Sequence, residues 1–309
     1  MEKTYQTIEE RINLLKQRGL IFKNEEKAKK VILRENYFYL TEEYEDIFLD
    51  LKKKDESYVR ETYFEELYAI YQFDRELRNL LLDDIGMVET YLKSYVAEVF
   101  AATYGCKNYM KVQNFKLNAN SNHQFDRLYQ EIRQNLKRSP KNGVVKQYQI
   151  KNKNLPPWVL VRVMTFGNIK QFYYLLKTEE KEKVAKLLEV DRKYLYTYLQ
   201  ILNVIRNICA HGDILFNVRL QYKLSKYDNK ERERLKIRKI NGDYEYGTND
   251  MFAVILTLKK LLDQEDFIPL FLKIENRIKQ VQQEIDEISF QYFLKELGFP
   301  KNYKQIKMM

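Results

Sequence analysis

His211 is one of two histidines in the 309-residue chain, and it closes the run RNICAHG. Arg206 stands five positions before it and Asn207 four. On a helix, Asn207 and His211 project from one face about 40° apart, and Arg206 lies on the flank about 140° round from His211. A helix dipole at its C-terminal end favours the imidazolium, so a histidine there can give or take a proton near neutral pH. An adjacent guanidinium can hold a phosphate. These groups suffice for metal-independent RNA cleavage, in which the 2′-hydroxyl attacks the neighbouring phosphorus in line. One group removes its proton, another protonates the 5′-oxygen, and arginine balances the charge on the phosphorane oxygens. A single histidine does not easily act as base and acid in one step, so the expectation is two protomers meeting at a two-fold axis. The competing expectation is that His211 only caps its own helix by bonding terminal carbonyls. The residues alone leave both open.

Other chemistries are less well supplied. Two cysteines, Cys106 and Cys209, make neither a disulfide framework nor a four-thiolate zinc site. His123, in the polar run NANSNHQF, reads as a surface residue at a loop or helix start, which leaves no histidine-built metal centre. Cys209 reads as a small buried spacer and Cys106 as a core or turn residue. No GxGxxG or GxxxxGK[ST] phosphate loop occurs, and no organic cofactor is expected. Without an apolar run of membrane-spanning length or an apolar N-terminal leader, the expectation is a cytoplasmic protein with no membrane partner.

The net charge of +10 is unevenly placed. No acid occurs in the 47 residues from 132 to 178, which carry ten cations, among them Arg133, Lys137, Arg138, Lys141, Lys146, Lys151 and Lys153. A second stretch, 219–239, holds nine cations, including Arg219 and Lys223, against three acids. Such tracts suit a polyanion, since cations neutralise phosphates and release counterions. Those nine named residues are the candidate RNA contacts. The bland expectation is that acids elsewhere balance them in three dimensions. The 25 tyrosines, at spacings such as Tyr194/Tyr198, read chiefly as core packing.

Helical signals dominate the elements that must position this chemistry. Thr7 and Glu10 have capping-box spacing, Gly19 can end the first helix, and Asn24 starts a second that runs to about Asn36. From Tyr63 to Gly105 an apolar stripe drifts round about 40 residues, roughly 60 Å of helix, with Gly86 the expected point of a kink or break. Further helices are expected at about 123–138, 156–177, 179–189 and 192–211, the last capped by Asp191 and ended by Gly212. Asn241-Gly242 predicts a hairpin over 234–247. Two helices come after it, one following Asp250 and one with Pro269 in its first turn, and Gly298–Pro300 is expected to close the ordered region. The charged run KKKDE (52–56) is a candidate boundary between an N-terminal helical extension, 1–56, and a helical domain, 57–309, with a basic insertion and C-terminal helices. A solvated turn inside one domain is the alternative.

RNICAHGDILFN (206–217) resembles the signature of abortive-infection proteins of the AbiD/AbiF type, within the HEPN superfamily. EERINLLKQRGLIF (9–22), LYAIYQFDRELRNLLLDDIGMVETYLKS (67–94), LPPWVLVRVMTFGNIKQFYYLL (155–176) and LKELGFPKNYK (294–304) are similar to further family segments in the same order. Thr165 stands where the family pattern has Ser, and NYFYLTEEY (36–44) departs from its tyrosine box. The resemblance implies an all-α HEPN-type bundle with an N-terminal helical extension, acting as a homodimer, to which the Asn241-Gly242 signal adds one small β-hairpin. It implies an endoribonuclease toxin of antiphage defence with Arg206, Asn207 and His211 as catalytic residues and RNA as substrate. It also supports an alternative, a non-catalytic protein in stable complex with a cognate small non-coding RNA. A third expectation is a protein-interaction scaffold whose charge is incidental.

Overall fold

The computed structural model describes residues 5–50, 56–59, 61–107, 109–139, 143–151 and 155–309. The candidate boundary lies, apart from Glu56, outside the described residues. The protein is all-α with one two-stranded antiparallel sheet.

The N-terminal part holds α1 (Ile8–Gln17), α2 (Glu25–Glu35) and the short α3 (Tyr37–Thr41). Their starts reflect local chemistry. Thr7 and Glu10 form the expected capping box, and the Asn24 side chain accepts the amide of Lys27. Gly19, just past α1, takes the left-handed φ of 97°. These helices share one apolar core with the rest of the chain. The backbone fixes them too: the Ile21 amide donates to the Thr62 carbonyl at 2.9 Å, and the Phe64 amide donates to the Ile21 carbonyl at 2.8 Å.

The centre of the fold is α4 (Phe64–Tyr104), 41 residues long. Its stripe drifts, so successive neighbours bury different parts of it. It is unbroken at Gly86, the expected point of a kink or break. Ile85 and Val88 on either side are fully buried, and that burial outweighs the roughly 1 kcal/mol cost of a mid-helix glycine. Around α4 pack α7 (Pro157–Leu160), α8 (Phe166–Leu175), α9 (Thr178–Leu187), α10 (Arg192–His211), α12 (Met251–Leu261) and α13 (Gln264–Glu284). Two further helices, α5 (Ala119–Arg138) and α6 (Val144–Lys151), carry the first part of the basic interval.

The helix expected over 156–177 is two helices. Met164 is extended, and Thr165 opens α8 by a reciprocal cap with Asn168, each bond 3.2 Å. The hairpin is shorter than expected: β1 (Lys239–Ile240) pairs with β2 (Asp243–Tyr244) across Asn241 (φ 52°) and Gly242 (φ 87°). Residues 230–234, partly inside the expected strand, form the helix α11 (Lys230–Arg234) instead, because Arg232 is buried and donates to the Gly247 carbonyl at 3.1 Å. Pro269 lies in the second turn of α13, not the first. Beyond α14 (Glu287–Leu297), Gly298 takes a φ of 71° as the cap, yet order continues. A 3₁₀ turn at Tyr303–Met308 buries Tyr303 and Ile306, apolar anchors that hold the C-terminal segment in the core. Among the described residues no helix is long and apolar enough to cross a membrane.

Candidate functional site

Helix α10 carries the Arg-Asn-His set and is positioned along its whole length. Asp191 caps its start, accepting the Lys193 amide at 2.9 Å. Leu195, Leu199, Leu202, Ile205 and Cys209 bury one side against the core. Burial pushes the Cys209 thiol up to about 12, so it is a packing residue and not a nucleophile. The opposite side turns outward. Asn203 is half-buried, Asn207 and His211 are exposed, and Arg206 sits half-buried on the flank.

The helix ends at His211. Gly212, at φ 80° and ψ 16°, forms a left-handed cap, and the amides of Gly212 and Asp213 both donate to the Ile208 carbonyl at 3.0 and 3.2 Å. The backbone thus satisfies this carbonyl. Among the described residues, no hydrogen bond or ion pair holds the side chains of Arg206, Asn207 or His211.

The chain just past His211 is locked in place. Asp74 of α4 is wholly buried, and its carboxylate accepts the amides of Leu215 at 3.1 Å and Phe216 at 2.6 Å. The Tyr44 hydroxyl donates to the same carboxylate at 2.8 Å. Arg78, one turn along α4, pairs with Asp74 and also donates to the carbonyl of Asp213 at 3.1 Å. Burial pushes Asp74 up to about 6, while Arg78, Tyr44 and the two amides favour its charged form and pull it down. The Tyr44 ring stacks on Phe216 at 5.6 Å. The segment after the motif is therefore tied at once to α4 and to the N-terminal helices. Asp74 and Arg78 were not singled out from the sequence. The available signal was an acid and a base four residues apart inside the apolar stripe Ile70–Phe73–Leu77–Leu81.

The expected RNA contacts divide. Arg133, Lys137 and Arg138 are exposed on α5, with the Arg133 guanidinium 5.9 Å from the Tyr129 ring. On α6, Lys146 is half-buried and Lys151 exposed. Lys141 and Lys153 lie outside the described residues. Arg219 is engaged, donating to the Glu296 carbonyl at 2.8 Å and its carboxylate at 2.9 Å. Lys223 faces Asp243 at 3.6 Å. Helices α5 and α8 run antiparallel. Gln171 donates to Gln124 near one end at 3.0 Å, and Asn135 to Asn168 near the other at 3.2 Å. The same end of α8 abuts α10, where a methyl on Gly167 would meet the Asn203 side-chain oxygen at 3.5 Å. The last turn of α5, with Lys137 and Arg138, thus lies toward the His211 end of the bundle.

His123 is exposed in the first turns of α5, and Cys106 is exposed in the turn after α4. Among the described residues no group of three or more His, Cys, Asp or Glu could hold a metal ion.

No curated protein and no solved structure matches the chain. Residues 30–217, more than half of the chain, match the model of the Abi-like protein family. The match reaches from α2 through α4 and α10 to the residues tied down by Asp74. The chain therefore belongs to this abortive-infection family, the Abi-like proteins.

Proposed function

We infer that the protein is a metal-independent endoribonuclease of antiphage defence, of the AbiD/AbiF type within the HEPN superfamily, working in the cytoplasm as a homodimer. The observation that carries this is the free, outward-facing set Arg206, Asn207 and His211 at the end of a helix whose continuation is bolted to buried Asp74. Rigid support under exposed acid–base groups is what proton transfer at a fixed phosphate requires. The 2′-hydroxyl attacks phosphorus as one imidazole takes its proton. The 5′-oxygen leaves as the partner protomer's imidazole protonates it, and the Arg206 guanidinium balances the phosphorane charge. The products are a 2′,3′-cyclic phosphate and a 5′-hydroxyl, and Asn207 orients the phosphate.

The test is incubation of the purified protein with single-stranded RNA in EDTA, beside His211→Ala and Arg206→Ala. Cleavage in chelator, with loss of about 10²–10⁴-fold in His211→Ala, is the expected result. Cleavage that survives both substitutions, or that EDTA abolishes, refutes the mechanism. A second reading is a non-catalytic toxin-type partner of a small non-coding RNA. The acid-free interval with its exposed Arg133, Lys137, Arg138 and Lys151 favours it. Tight, salt-sensitive RNA binding unchanged by His211→Ala, without cleavage, would select it.

A further inference from the structure

The seam where α8 packs on α10 runs toward His211. The two helices register over two turns: Gly167 abuts Asn203, and seven residues later in α8 and seven earlier in α10 the rings of Tyr174 and Tyr196 meet with centroids 4.8 Å apart. Lys170 lies on α8 one turn from each end of that span. Tyr174 is 38% exposed, and the ammonium of Lys181 sits 5.3 Å over its ring.

The electrostatics along this seam differ from those of the molecule's ion-paired surfaces. Among the described residues, no carboxylate lies within ion-pair distance of Lys170 or Lys181. Burial lowers both lysines, and the charges acting on Lys181, Lys116 and Arg192, are also positive. Arg192 is itself neutralised by Glu182 at 2.6 Å. Half-buried ammonium groups without counter-charge gain most from an anion. Flat rings beside them gain from a planar base.

We propose that the surface along the α8–α10 seam serves as a groove for an unpaired RNA strand, with Lys170 and Lys181 on its phosphates and the Tyr174/Tyr196 pair as a base-stacking platform, and delivers that strand to His211. A base that settles on Tyr174 replaces the Lys181 ammonium there, which then meets the adjoining phosphate. Tyr196 precedes His211 by 15 residues on α10, about 22 Å along the axis, so the strand spans several nucleotides before the scissile bond. A duplex cannot present bases to the rings, so the groove selects single strands. This assignment rests on the ribonuclease reading only for the direction of the strand.

The test is fluorescence anisotropy with labelled oligouridylate, in the full chain carrying His211→Ala to prevent turnover. Tyr174→Leu should weaken binding at least about fivefold, and Tyr174→Phe, which keeps the ring, should stay within about threefold of the parent. Lys170→Met should reduce the slope of log K against log salt by about 0.7. A fully paired RNA of equal length should bind the parent and Tyr174→Leu alike. Oligouridylate affinity unchanged in Tyr174→Leu, or a salt slope unchanged in Lys170→Met, overturns the assignment. So does Tyr174→Leu becoming monomeric in sedimentation with its RNA affinity intact, because the groove would then face a second copy of the chain. If the native protein cleaves and these variants bind as the parent does, the groove fails and the ribonuclease reading stands. If the native protein does not cleave while Tyr174 and Lys170 govern binding, the ribonuclease reading fails and the groove stands.

Discussion

The carboxylate of Asp74 accepts the backbone amide of Phe216 at 2.6 Å, across 142 residues of sequence and five residues beyond His211. Arg78 closes the same clamp through the Asp213 carbonyl. Removing Asp74 strands a buried guanidinium and two buried amides. Asp74→Ala should therefore cost about 3–5 kcal/mol of stability. Arg78→Ala, which leaves the carboxylate buried with its two amides and the Tyr44 hydroxyl, should cost less. Because the two share partners, the double variant should lose less than the sum, with a coupling of about 1–3 kcal/mol. Urea unfolding of the four proteins measures the cycle, and additive losses would show that the clamp is not a unit.

Two glycine caps make an internal comparison. Gly212 and Gly298 both have positive φ, 80° and 71°. Nothing lies within 4 Å of a Cβ at Gly212, whereas one at Gly298 would fall 2.3 Å from Cγ of buried Asp250. Gly212→Ala meets only the left-handed backbone cost, about 1–2 kcal/mol. Gly298→Ala adds a collision with the N-cap of α12 and should cost clearly more. Thermal unfolding of the two variants gives the ranking directly. Equal losses would contradict it.

Local chemistry was readable in the sequence, and distant pairing was not. Asp191, Gly212, the Thr7/Glu10 box and the Asn241-Gly242 turn act within a few residues, so their signals sit in one short window. The break before Thr165 was also local but used Asn168 where the familiar box has Glu or Gln, and it passed unseen. The unbroken course of α4 through Gly86 depends on helices that bury it from elsewhere in the chain. Charge showed the same division. The lack of acids between 132 and 178 is visible by counting, but that Glu296 occupies Arg219, or that Lys170 is left without a carboxylate, depends on the fold.

Stability should rise on mild acidification. Burial pushes Asp84 and Asp250 up to about 6, and Asp74 moves the same way. Each is therefore protonated more readily in the folded chain than in the unfolded one, so folding takes up protons as pH falls from about 7 to 5. Glu35 works in the opposite direction. Despite some burial, Tyr71 and Arg34 hold it below the ordinary range, and Lys307 and Lys279 do the same for Glu275. Those contributions are lost only at lower pH, below about 4.5. The thermal midpoint should climb between pH 7.5 and 5 and drop beneath 4. Asp84→Asn should flatten part of the climb and unfold later than the parent at pH 7.5. A midpoint that falls steadily from pH 7.5 to 5 would show that these carboxyls are not shifted as described.

A composite site makes an arithmetic demand on mixtures of protomers. His211 is exposed at a helix end, so a second copy can reach it, and a mechanism that uses one imidazole as base and another as acid needs both in one dimer. Adding folded His211→Ala protein to a fixed amount of parent should then inhibit by exchange. With random pairing, cleavage per parent protomer falls to about half at an equal mixture and to about a tenth at ninefold excess. Dilution below the dimer's dissociation constant should depress specific activity in the same manner. A protomer that cuts alone responds to neither treatment: the variant adds nothing and removes nothing, and rate stays proportional to enzyme. Gel filtration of the mixture, with one component tagged, confirms that exchange has occurred before the rates are compared. Proportional rates in an exchanged mixture would place base and acid within a single chain and refute the composite site.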